Sequence, residues 1–302
     1  KKKNFISPYI PNLPYNPFRP KLYSPMELME GYEKGNHDSF KEKSVDSAIY
    51  RSFKKSTPED VITSMTQRLH DHAIDDAMEE FLSLGDRRLK VVGIMGGHSM
   101  HRNDENYAKI VHLGYRLTQK GFFVSTGGGP GAMEAGNLGA YLSRYDESVI
   151  DDALSMIKDV PTFRDEGWFD TALAVREKYP SFVPSLGVPT WFYGHEPSNL
   201  FASHHAKYFA NSIREDGLLK ICHGGVIYAP GKAGTIQEIF QDACQNHYTT
   251  CKYISAMVLL DSNYWTKEKP VIPLLKALSK DKEYETMIAT VDDIDDAIQF
   301  LI

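Results

Sequence analysis

The chain has 302 residues, 42% hydrophobic and 25% charged, a balance that argues against a fibrous repeat or a disordered chain. Its formal net charge of -6, from 34 Lys+Arg against 40 Asp+Glu, provides no basic surface and argues against a nucleic-acid polymer as partner. A small phosphorylated ligand stays possible, because backbone dipoles bind it without help from net charge. No apolar run reaches the roughly 20 residues of a membrane helix, and the basic Lys1–Lys3 start leads into no signal-peptide core. The expectation is a cytosolic protein without a membrane partner.

In chain order, Lys1 to about Pro20 is rich in proline and aromatic residues and has no regular period, so it reads as an extended wrap over a surface. Ser56-Thr57-Pro58-Glu59-Asp60 signals a helix start, with proline at the first helical position and acids in the first turn. Val61, Ile62, Met65, Leu69, Ile74, Met78 and Leu82 then recur at helical spacing. Residues 1–88 therefore read as an extended and helical N-terminal extension. From Arg88 strands and helices alternate: a strand at Leu89–Met95, a helix at Asn103–Gln119, a strand at Gly121–Thr126, and a helix at Ala132–Tyr141. Later strands are predicted at Ser185–Phe192, Lys220–Ala229 and Ser255–Asp261. This alternation means an α/β fold, a doubly wound parallel sheet over residues 89–302, with ligands beyond the carboxyl ends of its strands. Residues 142–184, with helices near Ile150–Asp159 and Phe169–Lys178, interrupt the alternation as an insertion over a sheet edge or the site.

Cys222, Cys244 and Cys251 form no CxxC pair and read as reduced. Cys244, His247 and Cys251 fall at helical spacing, but no fourth ligand accompanies them and no metal is expected. No cofactor is expected either.

Two glycine turns carry the chemistry. In Ser125–Glu134, Gly127, Gly128, Gly129 and Gly131 sit at a strand-to-helix turn, where glycine lets the backbone approach a phosphate and aim amide N–H groups at it. The G-x-G-x-x-A spelling follows the second strand, not the first, and no acid ends a strand about 20 residues on, which sets a dehydrogenase aside. In the second turn, Ala229–Glu238, Thr235 reads as the cap of a new helix and Glu238 as a carboxylate near its start; the pair also fits a simple capping box. Gly97 and His98 end the first strand nearby.

These residues resemble a known family. Gly127-Gly128-Gly129-Pro130-Gly131-Ala132-Met133-Glu134, followed by Pro230-Gly231-Lys232-Ala233-Gly234-Thr235-Ile236-Gln237-Glu238, is similar to the paired GGGxxGxM and PGGxGTxxE motifs of the "lonely guy" phosphoribohydrolases, often mislabelled lysine decarboxylases. The similarity runs from about Val91 to the C-terminus. It implies a modified Rossmann fold, a homodimer or higher homo-oligomer, and hydrolysis of the N-glycosidic bond of a nucleoside 5′-monophosphate to free base and ribose 5-phosphate. On that resemblance Gly234 and Thr235 are expected to hold the 5′-phosphate and Glu238 to contact the ribose and the reacting centre; Gly127, Gly128, Gly129, Gly131, Met133, Gly231, Lys232, Gly97, His98 and Lys207 are the further candidate phosphate and nucleotide contacts. Glu238 stabilises the oxocarbenium-like sugar more than the ground state, or orients water.

The sequence departs from the family pattern twice. An Arg-Lys pair is expected in a helix before the fourth strand, and Ser203–Tyr208 reads as that helix with Ala206 at the arginine position; Arg214, two turns on, is the candidate catalytic replacement. Lys232 replaces the second glycine of PGG and adds a cation. Trp191, His195 and Glu196 are assigned to the base pocket, with core or dimer surface as the alternative for Trp191 and Phe192. A catalytically silent nucleotide sensor or carrier using the same loops is the alternative function.

Overall fold

A computed structural model describes residues 13–57, 60–84 and 87–302. The proline-rich wrap up to residue 12 and the Pro58-Glu59 helix signal lie outside the described residues. The helix expected near Ser56 starts instead at Val61, where the Asp60 side chain accepts from the Thr63 N–H. Four helices precede the sheet: α1 (Pro25–Met29), α2 (His37–Lys43), α3 (Val45–Lys55) and α4 (Val61–Leu82). Each begins on a side-chain cap, from Ser24, Asn36, Ser44 and Asp60, so local chemistry sets their ends.

The sheet has seven parallel strands: β1 (Val91–Met95), β2 (Phe123–Thr126), β3 (Leu186–Gly187), β4 (His204–His205), β5 (Val226–Tyr228), β6 (Met257–Leu260) and β7 (Ile288–Val291). Their spatial order is β4-β3-β2-β1-β5-β6-β7, so the direction of winding reverses between β1 and β5. Helices cover both faces: α5 (Glu105–Gln119), α6 (Ala132–Leu142), α7 (Val149–Ile157), α8 (Trp168–Lys178), α9 (Asn211–Ile221), α10 (Ala233–Tyr248), α11 (Ile272–Ser279) and α12 (Ile294–Leu301). Alternate strand residues serve opposite cores. Val92, Ile94 and Ile227 pack under α5 and α6, whereas Val91, Met95, Val226 and Tyr228 face α4, α9 and α10, as the two-residue strand period requires. The fold is the doubly wound α/β sheet expected.

Several boundaries differ from the sequence reading. Of Ser185–Phe192 only Leu186–Gly187 pairs as strand, and of Lys220–Ala229 only Val226–Tyr228. Leu218, Leu219 and Ile221 belong to α9; a short apolar run does not by periodicity tell a buried helix end from a strand. Ser203–Tyr208 is not a helix, since it holds strand β4. Residue 206 is therefore not on the helix before β5, which is α9 and carries Arg214. α10 ends at Tyr248, so Cys251 does not share a helix with Cys244 and His247. β4 and β7 were not foreseen: two residues, or four without alternation, give no recognisable strand signal.

The N-terminal extension is bound into the sheet domain. Tyr23 forms an antiparallel bridge with His205 on edge strand β4. Asp46, on α3, is fully buried and takes Lys207 Nζ at 2.7 Å and Trp191 Nε1 at 2.9 Å, with His195 Nε2 at 3.2 Å. Burial alone pushes this carboxyl up, but Lys207 and His195 outweigh it and hold it below its ordinary value. Asp71, on α4, accepts the N–H groups of Phe209 and Ala210 at 2.9 and 2.8 Å, and Asp75 accepts the Tyr208 hydroxyl at 2.7 Å. Removing one partner of a buried pair leaves the other charge unpaired. Asp46→Ala is therefore expected to lose about 3–5 kcal/mol in chemical denaturation, with Lys207 stranded. A loss below about 1 kcal/mol, the value of an exposed pair, would contradict this picture.

Candidate functional site

The reversal of winding between β1 and β5 opens a crevice at the carboxyl ends of the strands, where open α/β sheets take their ligands. A cleft of about 250 Å³ lies there, bordered by the turns after β1, β2 and β5 and by α9. Gly97, just after β1, links these turns: its N–H donates to Pro230 O and its carbonyl accepts from Ala132 N–H, each at 3.1 Å. The two glycine turns are thus not side by side, since β1 stands between them.

The first turn owes its glycines largely to packing. Gly128 and Gly131 hold φ of +74° and +71°, and a Cβ on Gly131 would lie 2.4 Å from Gly97 O, on Gly128 2.9 Å from Gly187 Cα. The Ala132 N–H at the start of α6 is already taken by Gly97. Glu134 is committed to Arg102, at 2.6 and 3.0 Å, and to the Tyr107 hydroxyl at 3.0 Å. Gly127, Gly129 and Met133 line the cleft, whereas Gly128 does not and Gly131 borders a smaller adjoining cavity.

The second turn is more open. α10 starts at Ala233 with Lys232 as N-cap and no side-chain cap, so Thr235 and Glu238 do not form the capping box considered above. The first intrahelical bond is donated by Ile236 to Lys232 O at 3.0 Å, which leaves the preceding amides to an outside partner. Gly231 keeps its form because a Cβ would fall 2.1 Å from Thr235 Oγ1; it does not line the cleft. Gly234 is different. Among the described glycines it alone combines no positive φ with nothing within 4 Å of a would-be Cβ, yet it sits in the first turn of a helix and lines the cleft.

Behind this turn is a buried charge cluster. Arg214 Nη2 meets Glu215 Oε1 at 2.8 Å, its Nε donates to Asn211 Oδ1 at 2.9 Å, and its Nη1 lies 3.5 Å from Glu238 Oε1. Burial raises the Glu238 carboxyl to about 7, with Arg214 opposing and Glu215 adding to the rise. One turn on, burial also raises Asp242 to about 7, against hydrogen bonds from Tyr228 and Ser255 at 2.7 and 3.0 Å. At the rim His98 Nε2 stands 3.9 Å from Glu196 Oε1, both partly exposed.

Trp191, Lys207 and His195 do not line this cleft, although His195 borders a neighbouring cavity. Trp191 is fully buried against Tyr23, His70 and Phe209, Lys207 is fully buried on Asp46, and His195 stacks between Phe40 and Tyr50. The chain leaves the sheet after Gly187, and these side chains turn toward the N-terminal extension. Thr190, Tyr193, Ser99 and Glu215 line the cleft without having been singled out. Tyr193 could have been found as the aromatic between Trp191 and His195, whereas Glu215 gave no signal beyond its place next to Arg214. A larger cavity, about 780 Å³ between α4 and α9, is bordered by Asp75, Asp76, Glu79 and Asp216; its acidity does not suit an anion. Among the described residues no helix is long and apolar enough to cross a membrane.

No family model matches the chain, and no curated protein matches its sequence. Several solved structures are similar, two of them as follows. The molybdenum cofactor binding protein of Rippkaea orientalis has 14% identity and a TM-score of 0.46, over 72% of this chain and 97% of its own. The molybdenum cofactor carrier protein of Chlamydomonas reinhardtii has 15% identity and a TM-score of 0.44, over 71% and 99%.

Glu238 and Asp242 hold their protons in the folded state at pH values where an unfolded carboxyl, near 4.5 or 3.8, has lost them. The folded state then binds more protons, so their contribution is complete below about pH 4 and is lost as pH rises through 7. Thermal melts between pH 5 and 8 are expected to show a shallower decline for Glu238→Gln than for wild type. Identical slopes would mean that Glu238 is already ionised.

Proposed function

We propose that this protein binds and holds a small phosphorylated ligand, a nucleoside 5′-monophosphate or a close relative, with the phosphate at the first turn of α10. The observation that carries this reading is Gly234. A glycine within a helix costs roughly 0.5–1 kcal/mol relative to alanine, and here neither backbone conformation nor packing accounts for it. Free space beside uncapped amides is what a phosphate oxygen needs to approach the backbone. Lys232 adds a cation with no carboxylate at ion-pair distance among the described residues. The resemblance of both turns to phosphoribohydrolase motifs supports the same class of ligand.

Binding is preferred over hydrolysis because Arg214 is already shared between Glu215 and Glu238. A second reading, hydrolysis of the N-glycosidic bond, is supported by Glu238, whose carboxyl near 7 is in the range of a general acid or base at neutral pH. Incubation with AMP, GMP, CMP and UMP separates the two. A holder is stabilised against heat without free base appearing, whereas base release abolished in Glu238→Gln supports the hydrolase.

Gly234→Ala is expected to raise stability by roughly 0.5 kcal/mol and to weaken AMP binding about tenfold, since the methyl group fills the space beside the amides. Calorimetric titration with the melting temperature on the same sample checks both. A variant that binds AMP as wild type does would remove the phosphate from this turn.

A further inference from the structure

The 250 Å³ cleft is below the roughly 300–1,000 Å³ of most small-molecule sites, but it has neighbours. A cavity of about 430 Å³ shares Tyr193, Gly194 and Glu196 with it, and a smaller one of about 150 Å³ shares His98 and Ser99. Phe163 and Arg164, from the loop between α7 and α8, border both neighbours. The larger lobe is completed by His37, Phe40 and Lys41 of α2. It is therefore built from the N-terminal extension, the insertion and the 193–197 loop that follows β3.

Its chemistry is specific. Among the described residues, Lys41 and Arg164 have no carboxylate within ion-pair distance, although the chain carries a net charge of -6. The Arg164 guanidinium lies 5.5 Å from the Phe163 ring centroid, and His37 Nδ1 is buried without a hydrogen-bond partner among the described residues. Glu196, at the shared border, is the one acid lining this lobe. Unpaired cations beside Phe40, Phe163, Phe169 and Tyr193 form a place for an anion joined to a flat ring.

We infer that the site is bipartite and that its ligand is a phosphate-linked dinucleotide, one half at the first turn of α10 and the other in the lobe of Lys41, Phe163 and Arg164. This rests on the reading that the cleft binds a nucleotide phosphate, and it extends the ligand by a second phosphate and ring. Arg164 and Lys41 take the distal phosphate, and the aromatic side chains take the second ring.

The test is calorimetric titration of the full chain with 5′-AMP, ADP and diadenosine diphosphate, on wild type, Arg164→Ala and Lys41→Ala/Arg164→Ala. Both side chains are exposed, so unchanged melting temperatures are expected. Diadenosine diphosphate is expected to bind about tenfold or more tighter than AMP, a margin of the size of one charge-assisted hydrogen bond. The double variant should lose that margin while AMP affinity stays within about twofold. Equal affinity for the two probes, or a margin that survives the double variant, overturns the inference and leaves the cleft reading intact. AMP affinity falling with the dinucleotide's also overturns it, because Arg164 and Lys41 would then serve the cleft itself. If no probe binds, both readings fall.

Discussion

The site depends on one constraint, the backbone of Gly97 at the point where the sheet changes its winding direction. With its N–H on Pro230 and its carbonyl on Ala132, Gly97 holds the start of α6 and the approach to α10 at fixed separation across β1. A Cβ on Gly131 would strike that carbonyl, so the glycines of the first turn serve largely to let backbone meet backbone. The proposed anion site is then the second turn, where the first amides of α10 lack a side-chain cap and Lys232 stands beside them. One glycine-rich turn is a structural joint and the other is the place proposed for a ligand, although in letters they look alike.

A second layer of constraint comes from three aspartates of the N-terminal extension. Asp46, Asp71 and Asp75 bind residues 191–210 by their side chains and main chain. Asp71 does so at Phe209 and Ala210, at the start of α9, the helix that brings Arg214 to Glu238. The buried carboxylate of Asp46 is stable because Lys207, His195 and Trp191 converge on it, and its desolvation would otherwise be prohibitive. The extension is therefore part of the apparatus that positions the site, and α2 supplies a wall of the adjoining lobe.

The sequence showed the architecture well wherever periodicity was long. The helices at Glu105–Gln119 and Ala132–Leu142 and the strands at Val91–Met95 and Met257–Leu260 follow from apolar spacing. Reading failed where few residues carry the signal: β3 and β4 have two residues each, and the end of α9 looks like a strand. Glu238, Thr235 and Lys232 were legible because a strand-to-helix turn places them by local geometry. Trp191, His195 and Lys207 fall outside the cleft because their partner, Asp46, lies more than 140 residues away in sequence, and no local pattern announces a pairing of that range. The raised carboxyl of Glu238 was equally hidden, since burial is a property of the assembled fold.

The most direct measurement is a crystal structure of the protein soaked with 5′-AMP. The phosphate is expected within hydrogen-bonding distance of the Gly234 and Thr235 amides, beside Lys232. Phosphate density elsewhere, with the first turn of α10 occupied by water alone, would contradict the assignment of this turn as the anion site.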